Sequence, residues 1–411
     1  MKQSKLFTKT RKEAPKDEIS KNAQLLIRGG FIHKEMTGVY SILPLGLRVV
    51  EKISEIIKEE MNKIGGIQVK STTLQKKEVW EKTNRWSDEV VDNWFKTELK
   101  NGTALGLAFT HEEAFSNLMK NFISSYKDLP AYPYDVRTMF RNELRGKSGL
   151  MRGREFYWKA LYSFSKDEEE HNIFYEKSKI AYKNVFERVG LGDITYLTFA
   201  SGGTFSKFSH EFQTISEAGE DIIYIDEDKK IAVNKEVFTD EVLKELGLVK
   251  EKLVERKAVE TGNIFTLGTK YSEAQGLSYK DENGEEMFVF MGSYGIGITR
   301  LMGTIVEILS DEKGIVWPEA VAPFKVHLLS LGQNEKAEEI YNQLNEQGIE
   351  VLYDDRDVNP GEKFADSDLL GIPYRVIVSE KSLNSGGLEI KKRSEEDPKI
   401  ISTEEFFEIV K

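Results

Sequence analysis

A charged loop, 144–153, sits between two runs rich in aromatic and β-favouring residues, 132–141 and 155–164, and this commits the middle of the chain to strands. Five arginines crowd into it: Arg137, Arg141, Arg145, Arg152 and Arg154. In strand register Arg141 and Glu143 lie one pleat apart and face the same side. An arginine fork beside a carboxylate suits a site that holds a phosphate and an amine-bearing base together. The same pair also reads as a strand-surface ion pair, worth little energetically. A further strand is expected at 286–291, and a glycine-rich step, Gly292, Gly295 and Gly297, leads to Arg300 at the start of an apolar helix.

Elsewhere the apolar residues fall at helical spacing. Val49, Val50, Ile53, Ile56, Ile57 and Met61 predict a helix over 45–64, entered through Pro44 and stopped by Gly65 and Gly66. A second helix is expected over 171–189, ended by Gly190. The acid- and lysine-dense stretch 217–259 reads as a surface connection with a little structure of its own. Pro318 and Pro323 bracket a short segment after which the pattern changes. Strands at 326–331, 349–353, 374–378 and 388–392 then alternate with helices at 336–347, 363–370 and 403–410, which predicts a small α/β domain with a largely parallel sheet. No internal repeat is evident.

Composition narrows the chemistry. The 411 residues include no Cys, which removes disulfides, thiol nucleophiles and Cys-based zinc sites, and the five histidines show no metal-ligand spacing. Catalysis must rest on arginine, lysine, carboxylates and backbone. The net charge is 58 − 69 = −11, so a nucleic-acid partner needs local basic patches such as Lys2 to Lys16 or Lys391 to Arg393. No apolar run approaches a membrane span, and neither a secretory nor a transit signal is expected, which points to a cytoplasmic protein.

The stretch FRNELRGKSGLMRGREF resembles motif 2 of the class II aminoacyl-tRNA synthetases in its prolyl-tRNA synthetase form, and MGSYGIGITRLMGTIVE resembles motif 3. Motif 1 would be the helix behind Pro44. Phe109-Thr110-His111-Glu112-Glu113 resembles the T-x-E loop of the prolyl family, although Thr110 also reads as an N-cap with Glu113 completing a capping box. Gly202-Gly203 with Ser209-His210-Glu211-Phe212-Gln213, and segments 263–273 and 314–318, match further signatures of the family. The end of the chain resembles its anticodon-binding domain.

The resemblance implies an α/β (α+β) architecture: a class II catalytic domain built on an antiparallel sheet flanked by helices, then a small α/β anticodon-binding domain. The boundaries are 1–320 and 324–411, with motif 1 at 38–66, motif 2 at 135–164, motif 3 at 291–307, and a short linker 222–261 in place of an editing domain. It implies ATP-dependent ligation of L-proline to tRNA(Pro) through a prolyl-adenylate, with Mg²⁺ brought in on ATP, by a homodimer. Arg141 would be the catalytic cation. Arg141, Glu143, Arg152, Phe156, Gln213 and Arg300 would bind ATP, and Thr110, Glu112, Arg141, Trp158, His210 and Ser293 would bind proline. Asp355, Arg356 and Lys391 would contact the anticodon. His210 also reads as a satisfied core histidine.

The departures from the family pattern are Asn263 for the usual His, Ser293 for a common Cys, Ala160 for Asp, Trp158 for Met, and an insertion at 205–208. Without an editing insertion the chain is expected to misactivate alanine, leaving any editing to a separate protein. A threonyl enzyme would need a Cys/His zinc site. A non-catalytic paralogue would be expected to lack the arginines that are retained here.

Overall fold

In the computed structural model, which describes residues 1–144, 146–203 and 208–411, the aromatic runs form strands Pro133–Phe140 and Glu155–Ser165. They pair antiparallel from Tyr134 opposite Leu161 to Phe140 opposite Glu155. Alternation decides their two faces. Trp158, Ala160, Tyr162 and Phe164 point into an apolar cluster with Phe115, Tyr271 and Met291. Lys159 and Ser163 point the other way, Lys159 Nζ donating to Tyr182 Oη at 2.7 Å and Ser163 lying 3.4 Å from His171 Nδ1, both partners on helix Glu168–Arg188.

That helix begins three residues before the expected start because Asp167 caps it, accepting from the Glu170 N–H, and because Glu168, Glu169 and Glu170 favour the positive end of the helix dipole. Its buried residues, His171, Phe174, Tyr175, Ser178, Ala181, Tyr182, Val185 and Phe186, repeat every three or four positions. The helix behind Pro44 spans Pro44–Lys63, and Gly65 follows it at φ 95°.

The chain forms two compact units, one of residues 37–39 and 54–304 and the other of residues 1–36, 40–53 and 305–411. The first is built on a sheet of nine described strands in the order Phe208–Ile215, Thr195–Ser201, Ile231–Asn234, Asp221–Asp226, Val254–Gly268, Phe290–Gly297, Glu155–Ser165, Pro133–Phe140 and Ile67–Gln68. Only the pairing of Ile231–Asn234 with Thr195–Ser201 and that of Ile67–Gln68 with Pro133–Phe140 are parallel among these. The expected strand at 286–291 divides. Glu286–Phe288 makes a hairpin with Ser278–Lys280, and Phe290–Gly297 joins the large sheet.

The stretch 217–259 is not a surface connection. It supplies three sheet strands, with helix Asp240–Glu245 between them, and two small apolar clusters, one around Ile223, Ile225 and Ala232 and one around Val233, Val242 and Leu243. Its charged residues fall mostly in the turns and short helices between these strands, as at 227–230 and 250–252, so average composition hid the short apolar strands.

The second unit carries a five-stranded sheet ordered Val351–Asp354, Val326–Leu331, Tyr374–Ser379, Leu388–Lys392 and Lys399–Ile401. Its first two pairings are parallel and its last two antiparallel, so half the sheet departs from the expected parallel form. Strand Lys399–Ile401 and helix Glu380–Asn384 went unforeseen because each is too short to show a period. The N-terminal residues cover the edge strand: the Met1 nitrogen donates to Val351 O at 2.7 Å, and the Tyr353 N–H donates to Met1 O at 2.9 Å.

Buried titratable groups give the fold a pH dependence. Burial holds His111 and His210 down to about 3, and His171 and His327 down to about 4, so all four are neutral when folded. The unfolded chain takes up protons at these positions below about pH 6.5, so the stability they contribute is present above that pH and lost as pH falls. Burial raises Glu113 to about 7 and Glu211 to about 8, which has the opposite sign, since their contribution is lost as pH rises above about 4.5. Four groups against two leave a net loss on acidification. The unfolding temperature is therefore expected to fall between pH 6.5 and 4.5, and His171→Gln to shallow that slope. A flat or rising profile would contradict the balance.

Candidate active site

The glycine-rich strand makes room for the site. Gly295 stands opposite Ala160 and Gly297 opposite Trp158. A Cβ on Gly295 would come within 2.3 Å of the Trp158 ring and 2.7 Å of Asn263 Oδ1, so only glycine lets the indole lie across the strand. Above this floor opens a cleft of about 210 Å³ whose walls include Arg141, Glu143, Arg152, Phe156, Trp158 and Arg300, all expected at the site from sequence.

Arg141 and Glu143 are not on a strand. The ladder ends at Phe140; Arg141 N–H still donates to Arg154 O, but Asn142 N–H turns to Asn93 O, and Glu143 N–H closes a three-residue turn on Arg141 O at 2.8 Å. The turn aims Arg141 across the cleft, its guanidinium 5.4 Å from the centre of the Phe156 ring and 5.6 Å from that of Trp158, with Nε 3.4 Å from Phe109 O. Among the described residues Arg141 has no carboxylate partner. Burial, and after it the charge of Arg300, lowers its pKa, so the two cations oppose each other across a space that an anion would relieve.

The other arginines divide by role. Arg137 is buried and donates to Ser71 Oγ and Thr72 O, fixing the strand to segment 71–73. Arg154 donates to Glu143 O and Thr37 O and holds the loop in shape. Arg152 reaches into the cleft between Glu143 at 3.0 Å and Glu220 at 2.7 Å. Arg300, in the first turn of helix Ile298–Leu309, is steadied by Met151 O and Glu260 O. Arg145 and residues 205–207 of the insertion at 205–208 lie outside the described residues.

A second constellation gathers around Glu112. Thr110 Oγ1 donates to its carboxylate at 2.6 and 2.7 Å, Tyr162 Oη at 3.2 Å and Ser293 Oγ at 3.5 Å. Thr110 is thus not the cap of the following helix. His111 holds that position, without a side-chain cap, and Thr110 is spent on Glu112. Sequence reasoning missed Arg85, whose Nη1 lies 3.1 Å from Glu112 and 3.0 Å from the wholly buried Glu113. Aromatic rings surround this guanidinium: Phe109 at 5.1 Å, Trp80 at 5.5 Å and Tyr271 at 5.6 Å. The available signal was that three of the five tryptophans, Trp80, Trp86 and Trp94, fall within 15 residues around it.

His210, half-buried, and Gln213 are not among the residues that line this cleft. His210 Nδ1 pairs with Tyr175 Oη at 2.8 Å, so the structure gives it a satisfied partner in the core. Gln213 is fully buried, donating to Glu211 at 2.8 Å and to Asp221 at 2.7 Å, and Asp221 reaches the cleft wall. In the other unit Arg356 is gripped by Asp354 and Asp366, and Asp355 accepts from Ser4. Lys391 lies three strands away from these, roughly 14 Å across the sheet. It is level with Leu352 by register, whereas Asp355 and Arg356 follow the other end of that strand.

Residues 95–309 match the tRNA synthetase class II core domain (G, H, P, S and T), and residues 320–411 match an anticodon binding domain. The chain is 37% identical to the proline--tRNA ligase of Caulobacter vibrioides over 422 residues, covering 96% of this chain and 95% of that one. It is 38% identical to that of Rickettsia bellii over 411 residues, covering 95% and 94%. In fold it is similar to the prolyl-tRNA synthetase of Cryptosporidium parvum complexed with halofuginone and AMPPNP, with TM-score 0.77, 17% identity and coverage of 94% of this chain and 75% of that one. It is also similar to the Giardia lamblia enzyme in complex with prolyl-adenylate, with TM-score 0.75, 19% identity and coverage of 92% and 73%.

Proposed function

The chain belongs to the proline--tRNA ligase family of class II aminoacyl-tRNA synthetases, and we propose that it forms prolyl-adenylate from L-proline and ATP and passes the prolyl group to tRNA(Pro). The observation that carries this reading is Arg141, a cation with no carboxylate partner among the described residues, lying over the Phe156 and Trp158 rings and reaching from the cleft to Phe109 O beside the Thr110–Glu112 loop.

In the proposed reaction the proline carboxylate attacks the α-phosphorus in line and pyrophosphate leaves. Arg141 spans carboxylate and α-phosphate and stabilises the charge that develops between them. Phe156 stacks on adenine, Glu143 accepts from its amino group, and Arg152 and Arg300 take the outer phosphates. Glu112, Thr110 and Ser293 hold the imino nitrogen, because a buried carboxylate is the partner a secondary ammonium needs. Trp158 and His210 shape the proline pocket, and Gln213 donates to Asp221 on the cleft wall.

Mg²⁺ fits this donor set. Among the described residues no three acidic or imidazole groups converge as a cage, and Mg²⁺ binds through one or two carboxylates plus substrate phosphates. Asp221 and Glu260 are the carboxylates on the cleft wall that would serve, and burial with the nearby Glu260 charge already raises the pKa of Asp221. The ion would neutralise phosphate charge.

The same reading assigns residues 1–320 to catalysis and 324–411 to anticodon binding, with Asp355, Arg356 and Lys391 as contacts, in a cytoplasmic homodimer joined through the 38–66 region. Among the described residues no helix is long and apolar enough to cross a membrane. Strands of the central sheet take up much of segment 222–261, which supports a chain without its own editing domain. A proline pocket excludes alanine by only a few methylenes, each worth about 1 kcal/mol or somewhat more. ATP–pyrophosphate exchange is therefore expected with proline, more weakly with alanine, and not with threonine. Exchange with alanine no greater than background would refute the misactivation, and none with proline would refute the function.

A further inference from the structure

We propose that the N-terminal arm builds, within the unit formed by residues 1–36, 40–53 and 305–411, a cationic groove that docks the sugar-phosphate backbone of tRNA. The inference rests on the reading that the chain acts on tRNA, and adds to it a contact made by a segment remote in sequence from the matched anticodon domain. The groove encloses about 690 Å³ and opens beside a second one of about 460 Å³, with Thr10 and Glu362 lining both.

Arg11, Lys12, Arg28 and Lys313 line it. The arm that carries the first two is fixed in place, since Met1 pairs with the edge strand, Ser4 donates to Asp355 through Oγ at 2.6 Å, and Arg11 N–H donates to Arg28 O at 2.8 Å.

What makes the groove positive is where its carboxylates are spent. Asp366 is taken by Arg356 at 2.8 Å and Asp368 by Arg375 at 3.0 Å. Among the described residues the four cations form no salt bridge, which leaves Glu362 as the groove's carboxylate without an ion pair. On a chain of net charge −11, four cations against one unpaired carboxylate along one channel make a local polyanion site. Its charge fits a run of phosphodiesters, and such contacts position a nucleic acid without reading its bases.

The test is tRNA affinity for the full chain carrying Arg11→Gln, Lys12→Gln, Arg28→Gln and Lys313→Gln, measured with a proline tRNA transcript and with an unrelated RNA hairpin. Affinity for both RNAs is expected to fall about tenfold or more, and the slope of log affinity against log salt between about 50 and 200 mM to drop by about two to three. Proline-dependent pyrophosphate exchange, which needs no tRNA, is expected to be unchanged. The exposed pair Arg11→Gln and Lys12→Gln alone should give about half the change in slope, which guards against a folding defect in the quadruple variant. Affinity within about threefold of wild type with an unchanged slope, or a loss confined to the proline tRNA, would overturn the groove while leaving the enzyme intact. Absence of exchange in the wild-type chain would instead overturn the functional reading.

Discussion

Arg141→Ala is expected to lower proline-dependent ATP–pyrophosphate exchange by about 10²–10³-fold, or about 2.7–4 kcal/mol, the cost of removing one preorganised donor from developing charge. The loss should fall on kcat more than on KM, because this guanidinium meets the pentavalent phosphorus more strongly than it meets either ground state. Stability gives the control. Arg141 has no carboxylate partner among the described residues and is opposed by Arg300, so its removal should leave the unfolding temperature unchanged or higher. Arg141→Lys is expected to recover only part of the rate, since an ammonium lacks the planar fork that bridges two anions while lying over Phe156 and Trp158. Exchange by the alanine variant within about threefold of wild type would remove Arg141 from the reaction.

Arg85→Leu should produce the largest loss of stability, about 3–5 kcal/mol, the cost of leaving buried charges without their partner. Arg85 is 8% exposed, Glu112 2% and Glu113 0%, so water cannot take over. With Arg85 present, burial already holds Glu113 up at about 7; without it, Glu112 and Glu113 would repel across the same small volume. Urea unfolding should show the drop, and adding Glu113→Gln to Arg85→Leu should restore a part of it, because that change removes one of the stranded charges. Additive losses in the double variant would mean that the two residues do not act as a pair. Since Arg85 also orients Glu112, any folded Arg85 variant is expected to raise KM for proline more than KM for ATP.

Much of the cleft was legible in the sequence because its residues are close along the chain. Arg141, Glu143, Arg152, Phe156 and Trp158 fall within 18 residues on two paired strands and their loop, and Arg300 follows the glycine-rich strand beside them. The strands themselves were visible as aromatic runs, and the long helices by their periods. What failed was local geometry that hydrogen bonds outside the segment decide. Asn142 bonds to Asn93, so Arg141 and Glu143 leave the pleat, and Thr110 bonds to Glu112 instead of capping its helix. Stretch 217–259 was misread because its charged turns and short helices dominate the average composition and mask the short apolar strands between them.

The sequence by itself determined the long helices, the strands that flank the arginine-rich loop, the alternating elements near the end of the chain and the family signatures, since each is written in the spacing or identity of neighbouring residues. Only the tertiary structure decided which charges are paired and which stand free. Arg85 meets Glu112 27 residues on, Met1 meets Val351, and Asp366 is withdrawn from a basic groove by Arg356. Electrostatic partnership depends on distance in space and on exclusion of water, and neither is carried by a residue's position along the chain.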